Sequence, residues 1–151
     1  MIQKGDERMT IWFDMDGTIA DLYGVEGWLD DIIARRTRPY DEARTMVNMS
    51  YLARLLHRVQ AQGHEIGIIS WTAKNGSDLY NGEVALAKML WLRRHLPSVT
   101  WDEIKIVPYG TNKRKATNGD ILFDDEEPNR EAWGEGAYTP DQIISILKGM
   151  R

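Results

Sequence analysis

Short apolar runs punctuate the chain, and each breaks off at a polar or turn-forming residue. Thr10-Ile11-Trp12-Phe13 stops at Asp14, Glu65-Ile66-Gly67-Ile68-Ile69 at Ser70, Ile104-Lys105-Ile106-Val107 at Pro108 and Ile121-Leu122-Phe123 at Asp124. Continuous runs rich in Ile and aromatics predict strands buried on both faces, the habit of parallel sheets. Between them the apolar period lengthens to about 3.6 residues, the helical repeat. Met46, Met49, Leu52, Leu55, Leu56 and Val59 predict one helix over residues 41–62, stopped by Gly63. Val84, Ala87, Leu90 and Trp91 predict a second over residues 83–95, ended by Pro97. Thr139-Pro140-Asp141-Gln142 reads as an N-cap, a proline at the first helical position and a capping-box glutamine, opening a helix through Leu147. Pro128 can start a short helix over residues 129–133, closed by Gly134.

Strands alternating with helices predict an α/β domain built on a mainly parallel sheet, in three Rossmann-like layers. No repeat, low-complexity tract or linker interrupts the pattern, so residues 1–151 read as a single domain. Ligands of such sheets bind beyond the carboxyl ends of the strands. Three predicted strands end in Asp14, Ser70 and Asp124, and the fourth runs into a loop carrying Lys113 and Lys115. Polar residues therefore collect at one edge of the sheet.

Composition narrows the chemistry. Of 151 residues, 42% are hydrophobic and 28% charged, which excludes a disordered or fibrous chain. No apolar run is long enough for a transmembrane helix. The polar start Met1-Ile2-Gln3-Lys4-Gly5-Asp6-Glu7-Arg8 lacks the apolar stretch of a signal peptide, so a cytoplasmic protein is expected. Without cysteine there can be no disulfide, thiolate metal site or thiol nucleophile. His57, His64 and His95 are too scattered for a metal cluster. A net charge of −4 argues against broad nucleic-acid coating while leaving room for a local basic site.

Asp14-Met15-Asp16-Gly17-Thr18 is the most informative stretch. A carboxylate fixed at the end of a buried strand can attack phosphorus and form an aspartyl-phosphate. A second carboxylate two residues on can protonate the leaving oxygen and later deprotonate water. Random occurrence of Asp-x-Asp-Gly-Thr in a chain of this length has odds of roughly one in a thousand. An ordinary Asx turn is the alternative. A calcium loop fits poorly, because its glycine belongs at the sixth position and Gly17 stands fourth. In Asp124-Asp125-Glu126-Glu127, adjacent carboxylates could share a magnesium ion with Asp14, or simply favour a helix N-terminus. The Ser70 hydroxyl could bond a phosphate oxygen, and Lys113 or Lys115 could neutralise its charge.

Asp14 with Asp16, Ser70, the lysine loop and Asp124 with Asp125 follow one another in chain order, each beside its own strand. This order and these residue types resemble the four motifs of the haloacid dehalogenase (HAD) superfamily, over nearly the whole chain apart from residues 25–48. The resemblance implies a sheet of order 5-4-1-2-3 with the site above the central strand. It implies Asp14 as nucleophile and Asp16 as acid/base. Mg²⁺ would be held by Asp14, the Asp16 backbone carbonyl and a motif-four acid, Asp125 being preferred and Asp124 supporting it or the lysine. It further implies Ser70 and Lys113 as phosphate-binding groups, with Lys115 remaining an alternative.

An aspartate at position 16 favours phosphoryl chemistry over carbon–halogen cleavage, because a departing alkoxide needs a proton and a halide does not. Residues 25–48 leave space for only a short cap-like insertion, with one helix near residues 27–36. An open site is expected. Tyr23, Trp28 and Trp71 flank the predicted mouth and could stack on a nucleobase, with Lys74 and Asn75 adding polar contacts; core or cap packing is the alternative for each aromatic. The stretch from Asp16 to Leu22 and the Asp124-Asp125 pair look most like 5′(3′)-deoxyribonucleotidases, and resemble the phosphatase half of polynucleotide kinase/phosphatases. The cap is shorter than in nucleotidases, and no kinase P-loop is present. The expected activity is Mg²⁺-dependent hydrolysis of a small phosphomonoester, a nucleotide foremost. A nucleic-acid 3′-end phosphatase and a HAD-like binding or regulatory module without turnover are the alternatives. No membrane partner is expected.

Overall fold

The computed structural model describes residues 7–151. Residues 1–6, most of the stretch read above as leader-free, lie outside it. Its strands are β1 (Thr10–Phe13), β2 (Ala20–Asp21), β3 (Arg44–Thr45), β4 (Glu65–Trp71), β5 (Glu103–Val107), β6 (Ile121–Phe123) and β7 (Ala137–Tyr138). The main sheet is parallel and runs β5-β4-β1-β6-β7, while β2 and β3 pair antiparallel apart from it. Counting only main-sheet strands in chain order, this is the expected 5-4-1-2-3. Its helices are α1 (Trp28–Ile33), α2 (Arg38–Glu42), α3 (Met49–Ala61), α4 (Asp78–His95), α5 (Lys113–Ala116), α6 (Glu127–Trp133) and α7 (Ile143–Gly149). None among the described residues is long and apolar enough to cross a membrane.

The sheet divides its side chains by the period of two. Ile11, Phe13, Ile66, Ile68, Ile121 and Phe123 face the larger core with α3, the end of α4 and α7. Phe13 stacks on Phe123 at 5.2 Å between ring centroids. Trp12, Ile69 and Leu122 face the other way, onto Trp133 of α6. Gly67 is there for space: a Cβ on it would lie 2.5 Å from the Trp12 ring. Burying each such side chain contributes about 2 kcal/mol. β1, flanked on both sides, is thereby fixed at the centre and its carboxyl end cannot wander.

Several boundaries differ from those the pattern predicts. β4 does not stop before Ser70, because Ser70 and Trp71 stay in register with Ile106 and Val107 of β5. The helix expected over residues 41–62 is two helices, parted by β3. Asn48 restarts the chain by accepting a bond from the Tyr51 amide, and Met46 is exposed. α4 begins five residues before Glu83, where the Ser77 side chain caps it. On α4, Leu90 is exposed and Lys88 is buried at 1% exposure. The Thr139 capping box forms, but its first turn, Pro140–Gln142, is 3-10 and leads into α7. The two-residue strands β2, β3 and β7 are too short to leave a periodic signal.

Residues 25–48 fold into α1, α2 and β3, beside the carboxyl edge of the sheet. Asp31, nearly buried, is ion-paired with Arg36 and Arg38, and Arg38 also reaches Glu42 and the Glu26 carbonyl. α2 packs on α4, where Trp91 Nε1 donates to the Ala43 carbonyl and the Tyr80 hydroxyl to that of Arg36. This segment is thus seated on the helix that follows β4.

Candidate active site

Asp14 sits one residue past β1, nearly buried, its amide bonded to the Phe123 carbonyl. The chain then turns tightly: the amides of Thr18, Ile19 and Ala20 all donate to the Met15 carbonyl, and the Gly17 amide donates to that of Ala20. The turn returns the Thr18 hydroxyl to Asp14 Oδ2 at 3.0 Å. Lys113 Nζ holds the other oxygen, Oδ1, at 2.9 Å. The carboxylate is held at both oxygens and faces the end of the sheet.

Lys113 is the lysine that enters; Lys115 is exposed and lines a separate small hollow at the opposite edge of the sheet. The N-cap at Asn112 starts α5 so that its first residue, Lys113, points inward. Lys113 also donates to Asp124 Oδ2 at 2.6 Å. Burial alone would lower its pKa, but the carboxylates of Asp14 and Asp124 outweigh burial and raise it. Asp124 is wholly buried, its second oxygen taking the Glu126 amide and its first also the Asn129 side chain.

Asp125 is different. Its carboxylate has no basic partner among the described residues, lies 3.5 Å from the Thr18 hydroxyl and faces Asp14. Burial and the neighbouring Asp14 push its pKa well up, and burial and Asp14 also raise that of Asp124. One carboxylate oxygen each from Asp14, Asp124 and Asp125 come within 4.8 Å of one another. Gly17 makes that approach possible (φ +79°), since Asp125 fills the space a side chain there would need.

Asp16 lies across the turn, with Lys88 Nζ 2.8 Å from its Oδ2. Burial raises its pKa, Lys88 pulls it down, and the charge of Asp14 adds to the rise; the balance stays above the ordinary value. A carboxyl raised in this way holds its proton more firmly than an ordinary aspartate, the direction a general acid needs. Ser70, fully buried within β4, accepts from the same ammonium at 2.7 Å. Sequence reasoning missed Lys88, although its place four residues after Val84 and three before Trp91 puts a lysine on the buried stripe of α4. It also missed Thr18, and Thr72, whose buried hydroxyl has no partner among the described residues and lies along the cavity.

The cluster sets four carboxylates, Asp14, Asp16, Asp124 and Asp125, against two ammonium groups, Lys88 and Lys113. Fully ionised, it carries two excess negative charges, which one divalent cation would balance. Convergent carboxylate oxygens are the donors that a hard ion such as Mg²⁺ takes. The residues fit such an ion.

A cavity of about 660 Å³ opens over this cluster. Tyr23, Trp28, Tyr40, Trp71, Tyr80 and Tyr109 line it, with Arg35, Lys74 and Asn75 among them. Tyr23 meets Trp28 edge-on at 4.9 Å, and Trp71 leans on Tyr109 at 4.8 Å, pinned by its Nε1 bond to the Thr111 carbonyl. Burial and the carboxylates of Asp16, Asp125 and Asp14 raise the pKa of Tyr23. Apart from the alternative Lys115, the residues expected from sequence to act gather at one place, the three aromatics and Lys74 with Asn75 included.

Neither a protein-family model nor a curated protein matches the sequence. Among solved structures, the fold is similar to that of D,D-heptose 1,7-bisphosphate phosphatase from Burkholderia thailandensis, with a TM-score of 0.58 and 13% identity, over 93% of this chain and 97% of that one. The chain thus has the α/β fold of that phosphatase.

Proposed function

We propose that this protein is a Mg²⁺-dependent phosphatase of the haloacid dehalogenase superfamily, hydrolysing a small phosphomonoester through an aspartyl-phosphate. The observation that carries the reading is Asp14: a carboxylate at the tip of the central strand, held by Lys113 and Thr18, with Asp16 and Asp125 beside it. Asp14 attacks phosphorus while the bond to the leaving oxygen breaks, and Asp16 gives that oxygen its proton. Asp16 then takes a proton from the water that opens the aspartyl-phosphate, which restores both carboxyl groups. Ser70 and Lys113 donate to the phosphoryl oxygens. Mg²⁺, held by Asp14, the Asp16 carbonyl and Asp125, would draw charge from the transferring group. Asp124 holds Lys113 and, with an oxygen in the same convergent set, supports Asp125 at the ion. Residues 25–48 act as a short cap within a single domain.

A nucleotide is the substrate we favour. The paired aromatics Tyr23 with Trp28 and Trp71 with Tyr109 line the cavity and can stack on a base. Exposed Leu29, Ile33 and Tyr109 at the rim, beside Lys74 and Arg35, would let a longer leaving group extend outward, which supports a nucleic-acid 3′ end as the second reading. A cytoplasmic setting accords with both.

Turnover of p-nitrophenyl phosphate with Mg²⁺, abolished by EDTA and by Asp14→Asn, tests the mechanism. Activity that survives in the Asp14 variant refutes it. A mononucleotide panel set against a 3′-phosphorylated oligonucleotide separates the two substrates. Binding of Mg²⁺ and phosphate with no turnover would favour a non-catalytic module instead.

A further inference from the structure

Of the two ammonium groups set among the four carboxylates, Lys88 is the one that the four motifs do not include. It is 1% exposed, lies on α4 between the buried Val84 and Trp91, and has the ring of Tyr40 5.3 Å away. An ammonium has three donors. Here they meet Asp16 Oδ2 at 2.8 Å, Ser70 Oγ at 2.7 Å and the Trp71 carbonyl at 2.7 Å. A buried charge is costly unless its hydrogen bonds are complete, and these are.

The three bonds have consequences for their acceptors. Lys88 occupies one lone pair of Ser70 Oγ and leaves the hydroxyl proton available to donate. That proton has no acceptor among the described residues. Asp16 is held by Oδ2 alone, and its Oδ1 has no hydrogen-bond partner among them. The Trp71 bond ties both to the backbone at the end of β4, the same residue whose ring walls the cavity. With every donor spent, Lys88 has none left for a phosphoryl oxygen.

We infer that Lys88 is a positioning residue, which locks the acid/base carboxylate of Asp16 and the phosphate-binding hydroxyl of Ser70 into one frame and leaves Asp16 Oδ1 aimed at the leaving oxygen. The inference rests on the phosphatase reading and adds to it the group that sets proton delivery. Removing Lys88 should hurt most where the leaving oxygen most needs its proton.

The test is kcat/KM with Mg²⁺ over a series of substituted phenyl phosphates of decreasing leaving-group acidity, from p-nitrophenyl to phenyl phosphate. It compares wild type, Lys88→Met, Lys88→Arg, Asp16→Asn and the Lys88→Met/Asp16→Asn double variant. Lys88→Met should steepen the dependence on leaving-group acidity, losing about tenfold more on phenyl than on p-nitrophenyl phosphate, within the range of acid catalysis. In the Asp16→Asn background the same change should add little, since both act through one proton. Lys88→Arg keeps the charge but cannot reach all three acceptors, and should steepen the dependence partially. If circular dichroism shows that Lys88→Met fails to fold, the arginine variant carries the comparison. A parallel loss on all esters, or full additivity with Asp16→Asn, overturns the inference and leaves the phosphatase reading standing. Absence of wild-type turnover on every ester defeats that reading, and the inference with it.

Discussion

Gly17 and Asp125 share one space: a Cβ on Gly17 would lie 2.2 Å from Asp125 Oδ2. The first turn of the chain and a carboxylate more than a hundred residues later are thus fitted to each other. Gly17→Ala should displace Asp125 and add backbone strain of about 1–2 kcal/mol at a positive φ. Mg²⁺ affinity, read by calorimetry, should fall at least about tenfold, with a lower melting temperature. An alanine variant that binds Mg²⁺ like the parent would separate Asp125 from the metal.

The unpaired position of Asp125 predicts an unusual pH response. Its carboxyl in the folded chain is lifted to about 8, by burial first and by Asp14 next. A carboxyl raised above its unfolded value of about 4 stabilises the fold while protonated, and that contribution is lost as pH climbs towards the folded value. In EDTA, the melting temperature of the parent should therefore fall relative to Asp125→Asn between pH about 5 and about 8. Mg²⁺ should restore it, and more strongly at the upper end, because binding there displaces fewer protons from Asp125. A parent that gains on Asp125→Asn as pH rises in EDTA would contradict this.

Lys113 and Lys115 offer a paired comparison. Lys113→Met leaves Asp14 and Asp124 facing each other without a counter-charge, a loss of about 3–5 kcal/mol for breaking a buried pair from one side. Turnover should disappear as well. Lys115→Met, at an exposed position, should change unfolding free energy by under about 0.5 kcal/mol and leave turnover intact. Chemical denaturation with an aryl phosphate assay measures both.

Trp28 and Trp71 report on the leaving group. If a base lies between the aromatic pairs, Trp28→Ala should raise KM for nucleotides by about tenfold, the order expected for base stacking. Glycerol phosphate, which has nothing to stack, should keep its KM. Equal changes for both substrates would remove the nucleotide assignment while leaving the chemistry in place.

Four of the five main-sheet strands were legible because they are short and apolar, and so was the convergence of Asp14, Ser70, Asp124 and the lysine loop; the two-residue β7 was not. The same reading failed where tertiary contacts overrule local pattern. Met46 continues the helical period yet lies outside the helix, since Asn48 offers a better start and the chain before it pairs with β2. Leu90 and Lys88 exchange the places their polarity assigns them, because Asp16, Ser70 and the Trp71 carbonyl wait below α4 for a cation. Choosing between Lys113 and Lys115 required the cap at Asn112, which decides the face of a four-residue helix.

β1 lies between β4 and β6. Synthesis proceeds from the amino end, so the first main-sheet strand to emerge from the ribosome gains its second neighbour only when residues 121–123 follow. Until then an apolar ribbon carries one open side, the kind of edge on which nascent chains stick together. Catalytic competence and protection from aggregation would then arrive in the same event, which makes truncation before residue 121 doubly damaging.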